Sequence, residues 1–185
     1  MVDVPIQPSA PTVRSLPPHP AAVAVDDYRS LMSAFPTGVA VITTVDDEGK
    51  PHGLTCTSLS SVTLAPPTLL VCLHQHSGTL GALGARGGFA VNLLHARARH
   101  VAEIFSSGVD DRFGKVAWCA APRTGAPKLV TDAFAIAECT VTGTHMVGDH
   151  AVVLGVVVGV AHVADVPLLY GMRRFDSWSH PSSHG

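Results

Sequence analysis

A chain of 185 residues and 19.2 kDa suits one domain with a real core. A formal charge of -2 and an isoelectric point near 6.6 exclude the basic stripe that nucleic acid or an anionic membrane calls for. With 46% apolar and only 14% charged residues, little polar surface is left to solvate a monomer, and a buried subunit interface is expected.

Residues 1–24 carry six of the 14 prolines and read as a disordered or loosely docked tail, which leaves 25–180 as one folded domain. No basic cluster followed by an apolar run opens the chain, so no signal peptide is expected. Asp26 or Asp27 caps a short helix through DYRSLMSAF, which Pro36 stops. GVAVITTV at 38–45 is a strand by its β-branched content. DDEGK at 46–50 is a hairpin turn, and PHGLTCTSLSSVTL at 51–64 returns as a second strand. APP at 65–67 is a break. TLLVCLH at 68–74 is a buried strand, SGTLGALGA at 77–85 a short helix capped by Ser77, and GFAVNLL at 88–94 another strand. ARARHVAEIFSS at 96–107 is an amphipathic helix with Val101, Ile104 and Phe105 on one face. After a loop over 110–128, DAFAIAECTVTGTHMV at 132–147 pairs through a Gly148-Asp149 turn with HAVVLGVVVGVAHV at 150–163. Neither face of that last strand is polar, so both are expected to be covered. It is too short and too glycine-broken for a membrane span. The sum is mainly β, a closed or nearly closed antiparallel barrel with two or three short helices.

Several familiar devices are missing. There is no GxGxxG after a strand and no GxxxxGK followed by Ser or Thr, so the usual nucleotide loops are excluded. A GxSxG nucleophile elbow is absent too. Cys56, Cys72, Cys119 and Cys139 form no CxxC pair and read as buried free thiols of a reducing cytoplasm. His74 and His76 in HQH share a strand face, a spacing that can ligate a metal. No third ligand stands at matching spacing, so exposed imidazoles at a loop entrance are expected and no metal. LTCTSLSS at 54–61 sets Thr55, Cys56, Thr57, Ser58, Ser60 and Ser61 on both faces of a strand. These are either strand-end hydroxyls or a cradle for a flat, polar-edged ligand, reached by short hydroxyls and backbone N–H groups. His150, after its Gly-Asp turn, is either a surface imidazole or a barrel-rim group that orients a second substrate.

Five stretches in this order resemble the flavin reductase family with the split-barrel FMN-binding fold, from about Tyr28 to Trp178. FPTGVAVITT resembles the opening strand, and HGLTCTSLSSVTLAPPTLLVCL the flavin-cradling strand, its turn and the strand after it. FAVNLL, GDHAVVLGVV and PLLYGMRRFDSW resemble three later segments. The resemblance implies a homodimer with flavin near the subunit interface. Thr55, Cys56, Thr57, Ser58 and Ser61 would hold the isoalloxazine edge and ribityl chain. His76, Ser77 and Asn92 would make further flavin contacts. His150 would meet the nicotinamide nucleotide, and Arg174 would neutralise a phosphate. Cys56 departs from a common alanine, HQHS from a more usual Asn- or Lys-containing turn, and the proline-rich tail is extra.

The implied activity is NAD(P)H:flavin oxidoreduction in the 1.5.1 sub-subclass, with FAD or FMN and NADH or NADPH. The cofactors supply the reactivity, and no side-chain acid or base is obligatory. Reduced flavin would diffuse to a separate flavin-dependent monooxygenase, in antibiotic or aromatic-compound metabolism in the cytoplasm. Two other readings stay open. One is a flavin-binding or sensing module without turnover, the other a pyridoxamine-phosphate-oxidase-like enzyme on a related barrel.

Overall fold

The computed structural model describes residues 21–178. Most of the expected proline-rich tail therefore lies outside the described residues. Helix α1 (Val25–Ser33) buries none of its residues. It begins two residues before the expected DYRSLMSAF, so Asp26 and Asp27 lie in its first turn rather than at its cap, where negative charge still suits the helix dipole. The compact β unit begins at Ser33.

Its strands are β1 (Thr37–Gly38), β2 (Ala40–Val45), β3 (Pro51–Cys56), β4 (Ser60–Leu64), β5 (Pro67–His74), β6 (Gly88–Leu94), β7 (Cys119–Ala120), β8 (Pro127–Lys128), β9 (Ala133–Val147), β10 (His150–His162), β11 (Leu168–Gly171) and β12 (Arg174–Ser177). Helix α2 (Gly78–Arg86) follows β5, and α3 (Arg99–Ser106) follows β6 after a 3-10 turn. Seven strands form one antiparallel sheet in the order β3-β2-β6-β9-β10-β5-β4.

Connectivity forces this sheet to curl. Laid flat, its end strands β3 and β4 would stand roughly 29 Å apart, at about 4.8 Å per strand. Only Thr57, Cys56's neighbour, through Leu59 joins them, a span of at most about 14 Å. The edges must therefore approach one another, and Ser58 stitches the gap. Its hydroxyl donates to the Cys72 carbonyl of β5 at 3.0 Å and accepts from the Cys72 N–H at 3.0 Å. The result is the nearly closed barrel expected from the sequence. The expected single strand over 51–64 is corrected to two, because the hydroxyl-rich stretch bends at 57–59 to make this closure.

Alternation along β2 sets the core on both sides. Ala40 and Ile42 face the barrel interior with Val71, Leu73, Phe89, Val91 and Val153, and α2 adds Leu83. Val39 and Val41 face outward and are covered by Val101, Ala102 and Phe105 of α3. Gly155, at a bulge in β10, lets Phe89 into the interior. A Cβ there would stand 2.6 Å from the Phe89 ring.

The loop over 110–128 holds a 3-10 turn (Phe113–Lys115) and the short β7–β8 hairpin. Segment 168–177 is a β11–β12 hairpin that pairs with β1 in a separate three-stranded sheet. β10 is not covered on both faces within this chain. Ala151, Val153 and Gly155 are buried, but Val160, Ala161 and His162 are exposed, since β5 runs alongside only from His150 to Val156. Among the cysteines all four are free, Cys56 and Cys139 are buried, and Cys119 is exposed rather than buried. No helix among the described residues is long and apolar enough to cross a membrane.

Candidate active site

The antiparallel register of β5 and β10 places His74 directly opposite His150. Cross-strand pairs are the closest side-chain neighbours a sheet provides, and the two imidazoles meet edge to face at 5.3 Å. The turn before β10 supplies the third member. Gly148 takes a left-handed φ of 59°, which tightens the bend and sets Asp149 above the strand ends. The Gln75 N–H donates to the Asp149 carbonyl at 2.9 Å and fixes this turn to the end of β5.

The hydrogen bonds assign the protons. The His76 N–H donates to His74 Nδ1 at 3.2 Å, so the proton of neutral His74 sits on Nε2, which points at Asp149 Oδ2 from 4.0 Å. His150 Nδ1 donates to Asp149 Oδ1 at 2.7 Å. That leaves His150 Nε2 free for a ligand, with its ring held by the carboxylate. The imidazole bonded to it holds the Asp149 carboxyl below its ordinary range.

These groups stand at the mouth of a cavity of about 440 Å³. Leu54, Leu73 and Phe105 give it apolar surface; Thr55, Ser77 and Arg112 give it polar edges. Ser77 caps α2, accepting from the Leu80 N–H at 3.2 Å. Arg112 reaches in from the loop after α3. It donates from Nη1 to the Gly53 carbonyl at 3.0 Å and from Nη2 to the Ser107 carbonyl, while its buried Nε has no partner. An apolar floor with hydroxyl, imidazole and guanidinium edges suits a flat heteroaromatic ring joined to an anionic chain.

A family profile described as the flavin reductase like domain matches residues 32–179. The chain is a member of the flavin reductase family. It is 59% identical over 160 residues to a flavin reductase (NADPH) of Lentzea aerocolonigenes, covering 86% of this chain and 93% of that one. It is 36% identical over 146 residues to the reductase subunit HsaB of a flavin-dependent monooxygenase of Mycobacterium tuberculosis, covering 77% and 76%. The fold superposes with a TM-score of 0.80 on a Streptomyces globisporus NADH:FAD oxidoreductase solved with NAD and FAD fragments, at 31% identity over 89% of this chain and 99% of that one.

Within this flavin reductase the residues singled out from sequence do not all meet. Thr55, Ser77 and His150 line the cavity together. Thr55 also donates to the Ala102 carbonyl at 2.7 Å, which ties β3 to α3. Thr57 and Ser58 are exposed at the closing bend, and Ser61 is exposed on β4. His76 is exposed beside His74, with the ring centroids 5.4 Å apart. Cys56 points inward and is buried. Burial pushes its thiol up, against the Ser58 hydroxyl 3.1 Å away.

Two of the residues singled out stand apart from this cavity. Asn92 lies on the outer parity of β6 and is fully buried. Its amide donates to the Val41 and Pro127 carbonyls and to Thr43, and its oxygen accepts from the Leu129 N–H at 2.8 Å. It pins the 127–129 segment. Arg174 is exposed on β12, opposite Gly171, and does not line this cavity. The cavity's own arginine is Arg112. Sequence reading missed it because an aperiodic loop gives no sign of which strand it lies on. Asp149 and His74 carried a signal, the Gly-Asp-His bend and HQH, yet their partnership depends on the strand register.

Proposed function

We propose that this cavity is where NAD(P)H reduces flavin, with His150 as the group that positions the nicotinamide. The observation that carries the proposal is the Asp149-oriented imidazole of His150 at the mouth of a cavity whose walls suit a flavin. Apolar Leu54, Leu73 and Phe105 would contact the ring system. Thr55 and the 57–58 bend would bond its edge, and Ser77, the first turn of α2 and Arg112 would face its phosphate. When both are bound, the nicotinamide passes a hydride to the flavin, and that chemistry belongs to the cofactors. The chain's own work is to stack them, fix their separation and offer positive charge where the flavin gains electron density.

The finer assignment is to the NAD(P)H:flavin oxidoreductases of sub-subclass 1.5.1, acting in the cytoplasm as a homodimer. The NADPH in the 59% identical relative's name makes NADPH the first nicotinamide to test. The relative that is a monooxygenase reductase subunit supports release of reduced flavin to a separate oxygenase. The test is oxidation of NADPH and NADH by the purified chain with FMN or FAD. Rates that saturate in both substrates are expected. Rates no higher than those without protein, for every pair, would overturn the proposal.

A further inference from the structure

We propose that His74 is a second recognition residue for the nicotinamide, and that with His150 it forms a donor–acceptor pair that reads the carboxamide of the ring. The inference rests on the reading of this cavity as the site of NAD(P)H and flavin, and it names the chemical group that the mouth selects. His74 and His150 both line the cavity. Their rings meet edge to face with centroids 5.3 Å apart. They differ in which nitrogen carries the proton, and that difference makes one a donor and the other an acceptor.

His74 Nδ1 accepts from the His76 N–H at 3.2 Å, so the neutral ring carries its proton on Nε2. Asp149 Oδ2 stands 4.0 Å from that nitrogen, beyond hydrogen-bond length, and the N–H remains available to a ligand. In His150 the order is reversed. Nδ1 donates to Asp149 Oδ1 at 2.7 Å, which leaves the lone pair of the neutral ring on Nε2. One mouth therefore presents an N–H donor and a lone pair side by side. A ketone would satisfy only the donor. A carboxylate would set its charge against Asp149 and the lone pair. A primary carboxamide carries a C=O acceptor and an NH2 donor on one carbon and satisfies both. Its two partners must stand within two hydrogen-bond lengths of each other, roughly 6 Å, plus the width of the amide. The 5.3 Å between the rings meets that condition.

Backbone bonds hold the pair ready. His74 and His150 are register partners, the Ser77 N–H donates to the His74 carbonyl at 2.9 Å, and the Gln75 N–H donates to the Asp149 carbonyl at 2.9 Å. Both imidazoles are nonetheless 47% exposed and open to a ligand. In HQH the third residue fixes the tautomer of the first, so a spacing that also suits a metal serves hydrogen bonding here. Holding the carboxamide at two points stops rotation of the nicotinamide ring and so fixes its hydride-bearing carbon against the flavin. The pyrimidine edge of the flavin carries the same pairing of N–H and C=O, and the experiment separates the two ligands.

Dissociation constants are measured by calorimetry on the full-length chain with oxidised flavin present. The ligands are the oxidised nicotinamide dinucleotide, its 3-acetylpyridine analogue, which keeps the C=O and lacks the NH2, and its thionicotinamide analogue, whose C=S is a poor acceptor. None of them reacts with oxidised flavin, so binding is read without turnover. The wild type should prefer the parent to each analogue by about fivefold, the size of one hydrogen bond. His150→Ala should lose the preference over the acetylpyridine and keep that over the thioamide. His74→Phe keeps a flat ring and removes the donor, and it should lose the preference over the thioamide alone. His74→Gln returns an N–H donor and should restore that preference. Flavin affinity should stay within about twofold in every variant. A thioamide preference that survives His74→Phe overturns the inference. So does a loss of flavin affinity in place of nucleotide affinity, which would assign the pair to the flavin edge. A wild type that shows both preferences and oxidises no NAD(P)H refutes the reductase reading alone. One that turns over without either preference overturns this inference alone.

Discussion

His150 has two imidazole nitrogens with different tasks, and Asp149 decides which does what. The carboxylate holds Nδ1, so Nε2 is turned outward. His150→Ala should raise KM for the nicotinamide more than for flavin, and lower kcat/KM by about 1–2 kcal/mol. Asp149→Asn should act in the same direction with a smaller effect, because it loosens the ring rather than removing it. In the double variant Asp149→Asn should add little, since both changes act on one contact. Additive losses in steady-state kinetics would mean that Asp149 acts independently of His150. At this scale the sequence was informative where a motif is local. Ser77 capping a helix and His150 following a Gly-Asp bend need only their neighbours. The face that Asn92 takes was not legible, because it depends on which side of β6 the barrel lies. Arg112 was hidden because its partners, Gly53 and Ser107, are fixed by the fold of a loop.

The elements owe their form to a few close approaches and ties. Gly155 is one. Its missing side chain admits Phe89, whose ring would lie 2.6 and 2.7 Å from an added Cβ, with the Cβ of Cys139 at 3.0 Å. Gly155→Ala should destabilise the fold by about 1–3 kcal/mol in urea unfolding, since neither a ring in a packed interior nor a strand backbone yields cheaply. An unchanged midpoint would show that the bulge relaxes. Arg97 and Asp165 form a second tie, a fork with contacts of 2.6 and 3.1 Å between the turn before α3 and the connection into β11. The Arg97 guanidinium, helped by the Val166 N–H, holds the Asp165 carboxyl at about 2, below the ordinary 3.8. A depressed carboxyl stabilises the fold above its unfolded pKa and loses that contribution as pH falls through the folded value. Arg97→Ala should therefore lower Tm at neutral pH, with the difference closing between about pH 4 and pH 2. A difference that persisted below that window would contradict the pairing. Strand content, the α2 cap and the β9–β10 hairpin were legible from β-branched runs and turn residues. The break at 57–59 was not, because hydroxyl residues suit strands and bends alike, and only barrel closure decides between them.

For the whole molecule, the low charge content finds its structural counterpart on β4 and β10. All of β4 is exposed, Leu64 is 86% exposed, and Val160 on β10 is 78% exposed. Light scattering at micromolar concentration should give twice the 19.2 kDa chain mass. Leu64→Arg together with Val160→Asp should shift it to one chain's mass. A wild-type monomer would remove the shared interface. The central claim is that flavin is a substrate that arrives, is reduced and leaves. Anaerobic mixing of the chain with excess NADPH or NADH and a large molar excess of FMN or FAD tests it most directly, by following the bleaching of the flavin. The account predicts that all the flavin is reduced, many equivalents per chain. Bleaching that stops at one equivalent per chain would make the protein a holder of flavin and contradict it.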